Sequence, residues 1–246
     1  MPSVLGVDAC KAGWCAASMV REDGSWQFRD VLQDRAVPVC VDIPVGLLDE
    51  PGHRFCDKEA RKRLGPRRGP SVFPPPSRAA LLHRDYASAS RANFRVTGRR
   101  LSKQSFAISQ KIAEVDSVMT ADLQRSVREV HPELCFWGLS GGRPPSHNKK
   151  TLAGRTERWG LLLRALPTLP PEPTLLEIPP GCALDDVIDA LAAALTAACI
   201  LDECAQVIPT DSQVDARGLR MEMWFPSVRS PGLRATLRRN SVLSHR

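Results

Sequence analysis

Apolar and polar positions alternate in two distinct rhythms along the chain. The first is strand-like. Residues 4–8, "VLGVD", are an apolar run that ends in Asp8, and "GWCAASMV" at 13–20 is a second apolar run. "SWQFRDV" at 25–31 alternates with period two, which predicts a third strand. "REDG" between the second and third supplies a D-G hairpin turn. Three strands joined by short turns predict an antiparallel meander. "VPVCVDIPVGL" at 37–47 is a fourth apolar run, again interrupted by an aspartate, Asp42. Pro44 has no N–H to give a ladder, so this strand is expected to end near Ile43.

Beyond residue 54 the rhythm becomes helical. Helices are predicted over 54–64 and 77–91, separated by the loop "GPRRGPSVFPPPSR". Over 103–123, Phe106, Ile108, Ile112, Val115 and Met119 recur near three- and four-residue spacing, which predicts another helix. Residues 126–130 read as a strand holding Glu129, ended by His131-Pro132-Glu133. A basic amphipathic helix is expected over 148–166, then a proline-rich loop over 167–180. The strongest helix is 184–205, dense in Ala and Leu. "LRMEMWFP" at 219–226 reads as a closing strand. The last twenty residues lack periodicity and are expected to be disordered. The pattern contains no internal repeat. Together these elements predict an α/β fold.

A chain of 246 residues suffices for a domain with a substantial core. The expected organisation is a single domain over 1–226, with a basic helical and Pro-rich insert at about 54–111 and a basic tail over 227–246. No 18-residue apolar run and no basic, apolar leader stand in the sequence, so no membrane span is expected and the reading is a cytoplasmic protein. Eight cysteines form no CxxC pair and match no zinc spacing. Most stand in apolar company, as Cys40 does, and are expected to be free core thiols in a reducing cytosol.

The net charge of +7 is unevenly spread. Residues 54–111 hold 15 Lys/Arg against 3 Asp/Glu, and residues 227–246 hold 5 Arg and no acid. The remainder is therefore acidic. A basic insert and tail on an acidic body suit an extended anionic partner, DNA or RNA, although a solvated arginine-rich surface gives the same count. Oligomeric state is not legible.

The acidic body raises the question of what Asp8 does. Alone, an Asp at a strand end caps a turn. Asp42 repeats the situation, at the strand edge where open α/β sheets form sites. Asp185, Asp186 and Asp189 open the long helix, and Asp186 and Asp189 share one face. The helix dipole accounts for Asp185 and Asp186. It does not account for Asp189, which lies past the first turn beside small apolar residues, where an unpaired carboxylate is costly. Glu129 is a fifth candidate. Clustered carboxylates suit Mg²⁺ or Mn²⁺, and two such ions about 4 Å apart activate water and stabilise a leaving oxygen in phosphodiester hydrolysis.

With those residues in view, the chain resembles the RNase H-like nucleases, in particular the Holliday-junction resolvase branch with its D-x-x-D-A-L helix. More closely, it is similar to the predicted RNase H-like nucleases of domain of unknown function 429. The stretches that carry the resemblance are "GVDACKAGW", "VDIPVGL", "CDKEARKRLGPRRGPSVFPPP", "SKQSFAISQKIAEVD", "EVHPE", "KKTLAGRTER" and "DDVIDALAAALTA", spanning residues 4 to about 225. The resemblance implies an RNase H-like fold, with a central mixed sheet, its first three strands antiparallel, flanked by helices. It implies a metal-ligand role for Asp8, Asp42, Asp186 and Asp189. It does not assign Glu129, which sits in a motif the resolvases lack, nor does it assign a substrate.

Other side chains are weighed against blander roles. Lys149 and Lys150 could hold a scissile phosphate or simply open a solvated helix. Lys11, Arg67, Arg68 and Arg78 are candidate phosphate contacts. His131 could be a general acid but stands where structural histidines are common. Gln104 and Ser105 could face a site or cap a helix, and Asp57 and Glu59 are expected to pair with basic neighbours. The leading expectation is a metal-dependent nuclease. The alternatives are a non-enzymatic nucleic-acid-binding relative and a sugar-kinase or actin-like phosphotransferase. The latter lacks its expected second Gly-rich phosphate loop here.

Overall fold

The computed structural model describes residues 2–22, the backbone of 25–29, and residues 37–227. The D-G turn, the end of the predicted third strand and nearly all of the basic tail lie outside the described residues. The described chain divides into two compact units. The first is drawn from the described residues of Met1–Asp42, Ser126–Gln206 and Trp224–Arg246, and the second from Ile43–Arg125 and Val207–Met223. The basic segment 54–111 belongs wholly to the second unit.

The first unit is built on a five-stranded mixed sheet. Its strands are β1 (Ser3–Cys10), β2 (Gly13–Glu22), β3 (Ser25–Arg29), β4 (Val39–Val41) and β5 (Val127–Glu129), in the order β3-β2-β1-β4-β5. β1 pairs antiparallel with β2, and β2 antiparallel with β3. On its other side β1 pairs parallel with β4, and β4 parallel with β5. Antiparallel pairing thus stops at β1, and the sheet continues in parallel.

Three helices of this unit carry the rest of its core: α6 (Pro132–Leu139), α7 (Leu152–Ala165) and α8 (Leu184–Leu201). The earlier helices, α1 to α5, belong to the second unit and are given below. Val4 on β1, with Cys15, Ala17 and Met19 on β2, packs with the alanines of α8, Phe136 of α6 and Trp159 of α7 in one apolar cluster. The alanine-rich sequence of α8 lets the helix lie close on the sheet, because small side chains bring two backbones together.

The second unit contains α1 (Phe55–Arg68), α2 (Arg78–Leu81), α3 (Tyr86–Thr97), α4 (Lys103–Ala107) and α5 (Ser109–Val118). It also holds most of a two-stranded sheet of β6 (Ala205–Val214) and β7 (Arg220–Pro226). α1 is broken at Gly65-Pro66, one residue past the predicted end of the first helix. The helix expected over 77–91 is two helices, because the Asp85 side chain accepts the Ser88 N–H at 2.8 Å and starts α3 afresh. The helix expected over 103–123 is also two, interrupted at Ile108. α6 and β6 are not foreseen by the sequence pattern.

All eight cysteines are free, and six of them are buried. Among the described residues no helix is long and apolar enough to cross a membrane.

Candidate functional site

Asp8 lies in β1 and Asp42 immediately follows β4. The parallel register pairs Gly6 with Cys40 and Val7 with Val41. The Asp42 N–H donates to the Val7 carbonyl at 2.9 Å, which extends the ladder one residue past β4. Asp8 and Asp42 are thereby brought side by side.

The third carboxylate arrives on α8. Gly6 makes this possible. A Cβ on Gly6 would stand 2.0 Å from the Ala190 carbonyl oxygen and 2.1 Å from the Ala194 nitrogen, so only glycine lets the α8 backbone approach β1 here. Gly6 and Asp8 are two apart and share a face of the strand, as Ala190 adjoins Asp189 in the helix. The close approach seats Asp189, 1% exposed, in the electrostatic field of Asp8 and Asp42.

Lys149 completes the cluster from the turn before α7. Its Nζ donates to Asp189 Oδ2 at 2.5 Å. The turn is laid down by Thr151, whose side chain accepts the Gly154 N–H at 3.1 Å and caps α7. Gly154 also leaves room for it, since a Cβ there would meet the Asn148 carbonyl oxygen at 1.9 Å. Behind the turn, Arg158 of α7 donates to Glu133 of α6 at 2.6 Å, to the Gly154 carbonyl at 2.9 Å and to the His147 carbonyl at 3.1 Å. Both members of this pair are buried.

The electrostatics follow from burial and proximity. Burial, with the charges of Asp42 and Asp189, pushes Asp8 up to about 10, against the pull of Lys149. Asp42 is also raised, by burial first and by Glu133, while His131 and Lys149 draw it down. Asp189 is pushed up by burial to about 6, with Lys149 holding it lower than its surroundings alone would. Lys149 itself is raised: burial disfavours its charge, but Asp189, Asp42 and Asp8 outweigh that. Three carboxyl groups sharing one lysine leave the site short of positive charge.

A family model described as protein of unknown function (DUF429) matches residues 6–214, a span that takes in Asp8, Asp42, Lys149 and Asp189. The chain belongs to this family. No curated protein and no solved structure matches it.

The remaining sequence candidates of this DUF429 chain are placed as follows. Asp186 borders the cluster and its charge raises Asp8, but one of its oxygens accepts the Ala183 N–H at 2.8 Å and so caps α8. Glu129 is on the other side of the sheet. It pairs in register with Val41, and residues paired across neighbouring strands share a face, while Asp42, one residue on, faces away from Val41. Glu129 is therefore not one of the carboxylates gathered around Asp8. Lys11 is exposed in the β1–β2 turn, and Lys150 is exposed beside Lys149. Arg67 and Arg68 lie in the second unit at the end of α1. Arg78, also in the second unit, departs from the phosphate-contact expectation. It donates to Asp116 at 3.0 Å, to Asp49 at 3.1 Å and to Asp215, so its guanidinium is committed to three carboxylates. Ser105 donates to the Pro74 carbonyl at 2.7 Å and Gln104 is exposed. Asp57 pairs with Arg54 at 3.1 Å and Glu59 with Arg63 at 3.4 Å.

Sequence reasoning passes over Glu133 and Arg158. The signal for Glu133 is present: Pro at the first helical position followed by an acid in the first turn marks the start of a helix, here α6. Arg158 carries no local signal, because its partners lie 4 to 25 residues away and on another helix.

Proposed function

We propose that the chain is a metal-dependent nuclease with an RNase H-like fold, hydrolysing phosphodiester bonds of DNA or RNA at the Asp8–Asp42–Asp189 cluster. The observation that carries this reading is the meeting of two strand-end carboxylates and one helix carboxylate around a single lysine. The mixed sheet, with β1 at the junction of its antiparallel and parallel parts, supports the fold assignment. The donor set is entirely carboxylate oxygen, which suits Mg²⁺ or Mn²⁺ and not a soft metal. Asp8, Asp42 and Asp189 would be the ligands, with the free oxygen of Asp186 at the border. When bound, such cations supply an activated water and stabilisation of the leaving oxygen.

The protein's own residues do the rest. Lys149 orients Asp189 and presents a cation to a scissile phosphate. The Glu133–Arg158 pair fixes α6 against α7 and so holds the Lys149 turn. Basic residues of segment 54–111 and of the tail supply sequence-independent attraction for a polyanion.

The test is cleavage of a panel of labelled single-stranded, duplex and branched DNA and RNA with Mg²⁺ or Mn²⁺. Metal-dependent cleavage by the wild type, lost at least 100-fold in Asp8→Asn, is the expected result. Cleavage that persists in the variant or in EDTA would sink the reading.

A further inference from the structure

The second unit contains a pocket lined by several basic residues of segment 54–111. Its volume is about 100 Å³, and its lining includes His53, Arg54, Asp57, Arg61, Arg99 and Arg100. This unites parts of the chain far apart in sequence: the segment before α1, α1 itself, and the α3–α4 connection.

The charge accounting is one-sided. Asp57 is the only carboxylate among the lining residues, and Arg54 answers it at 3.1 Å with both side chains buried. That leaves Arg61, Arg99 and Arg100. Arg61 donates its Nε to the Val72 carbonyl at 2.6 Å, a neutral partner that leaves the charge uncompensated. The Arg100 guanidinium lies over the Phe94 ring, 5.1 Å from its centroid, which holds it in place without neutralising it. Among the described residues neither Arg99 nor Arg100 pairs with a carboxylate. His53 senses the same field: burial and the charges of Arg99, Lys58 and Arg61 hold it below the ordinary histidine range.

Three cations without counter-charges around one small concavity are mutually repulsive, and an anion removes the repulsion. The size narrows the anion. Sites for drug-sized ligands run to roughly 300–1,000 Å³, and a pocket of about 100 Å³ suits one compact group. Planar guanidinium groups favour the oxygens of a phosphate. We propose that this pocket binds a single phosphate group, either inorganic phosphate or the terminal phosphate of a larger ester. The proposal is independent of metal binding at Asp8.

The experiment is thermal melting and calorimetric titration of the full chain with sodium phosphate, at constant ionic strength set by sodium chloride. Parallel titrations use a 5′-phosphorylated dinucleotide and its 5′-hydroxyl counterpart. Saturable phosphate binding is expected in the wild type. It should weaken at least 10-fold in Arg99→Gln and in Arg100→Gln, and stay unchanged in Arg95→Gln, an exposed control on α3. Melting of each variant without phosphate checks its folding. Binding of phosphate and the dinucleotide alike identifies a terminal ester as a ligand, whereas binding of phosphate alone identifies the free ion. Absence of saturable binding for both, or equal binding by wild type, Arg99→Gln and Arg100→Gln, overturns the proposal. Equal affinity for the 5′-hydroxyl dinucleotide overturns it too.

Discussion

Lys149 Nζ stands 2.5 Å from Asp189 Oδ2, joining the turn before α7 to a buried position on α8. The lysine side chain is 36% exposed and the aspartate 1%. Removing the cation leaves a buried carboxylate among other carboxylates. Lys149→Met is expected to lower the unfolding free energy at pH 7 by about 1–2 kcal/mol. That is below the 3–5 kcal/mol typical of a fully buried pair, because solvent screens the lysine. Urea unfolding in EDTA measures it. Wild-type stability in the variant would show that the ion pair contributes nothing.

The raised carboxyls make the metal-free protein sensitive to pH in a defined direction. Asp8, pushed up to about 10, and Asp189, pushed up to about 6, hold protons in the folded state that the unfolded chain has released. Where the folded state binds more protons, stability falls as pH rises. The destabilising contribution of Asp8 therefore grows from the ordinary carboxylate range, near 4, up to its folded value. Between pH 5 and 9 in EDTA, the melting temperature of the wild type is expected to fall more steeply than that of Asp8→Asn, and the variant should be the more stable at pH 8. Parallel curves for the two proteins would contradict the burial of an ionisable group at this position.

Arg78 is expected to be structural. It answers Asp49, Asp116 and Asp215, and the Asp215 side chain is fully buried. Arg78, together with backbone N–H groups, holds Asp215 below the ordinary carboxylate range despite its burial. A depressed acid contributes stability above its unfolded pKa and loses it as pH falls through the folded value. Arg78→Gln is expected to cost about 3 kcal/mol at pH 7. The deficit should shrink as the buffer is taken down through the carboxylate range. Denaturant unfolding at pH 7 and pH 3 checks this. A fully stable variant with weakened nucleic-acid binding would instead return Arg78 to the phosphate-contact role.

The strands and the long helix are legible because their signals are local. β1, β2 and β4 are apolar runs, and α8 is an unbroken Ala/Leu helix. Asp8, Asp42 and Asp189 stand out for the same reason, as carboxylates in apolar surroundings. α6 is hidden because Pro132, read as a strand terminator, also serves as the first residue of a helix. α2 and α3 are not separable by periodicity alone, since the break depends on Asp85 capping Ser88. β6 carries too many polar residues to read as a strand. Glu129 and Arg78 mark the limit of motif reading. The face of Glu129 follows from a strand register, and the partners of Arg78 lie 29 to 137 residues away. Neither is a property of the surrounding sequence. Gly6 carries the same lesson: its necessity comes from α8, whose nearest approach is more than 180 residues along the chain.

The central claim is that Asp8, Asp42 and Asp189 act together as one divalent-cation site. Titration of the full chain with Mn²⁺, followed by the loss of the free-ion electron paramagnetic resonance signal, tests it most directly. The wild type is expected to bind Mn²⁺ saturably, with Mg²⁺ competing, and Asp8→Asn and Asp42→Asn are each expected to weaken binding at least 10-fold while circular dichroism shows both folded. Wild-type protein that leaves Mn²⁺ free at millimolar concentration, or folded variants that bind it as tightly as the wild type, would contradict the account.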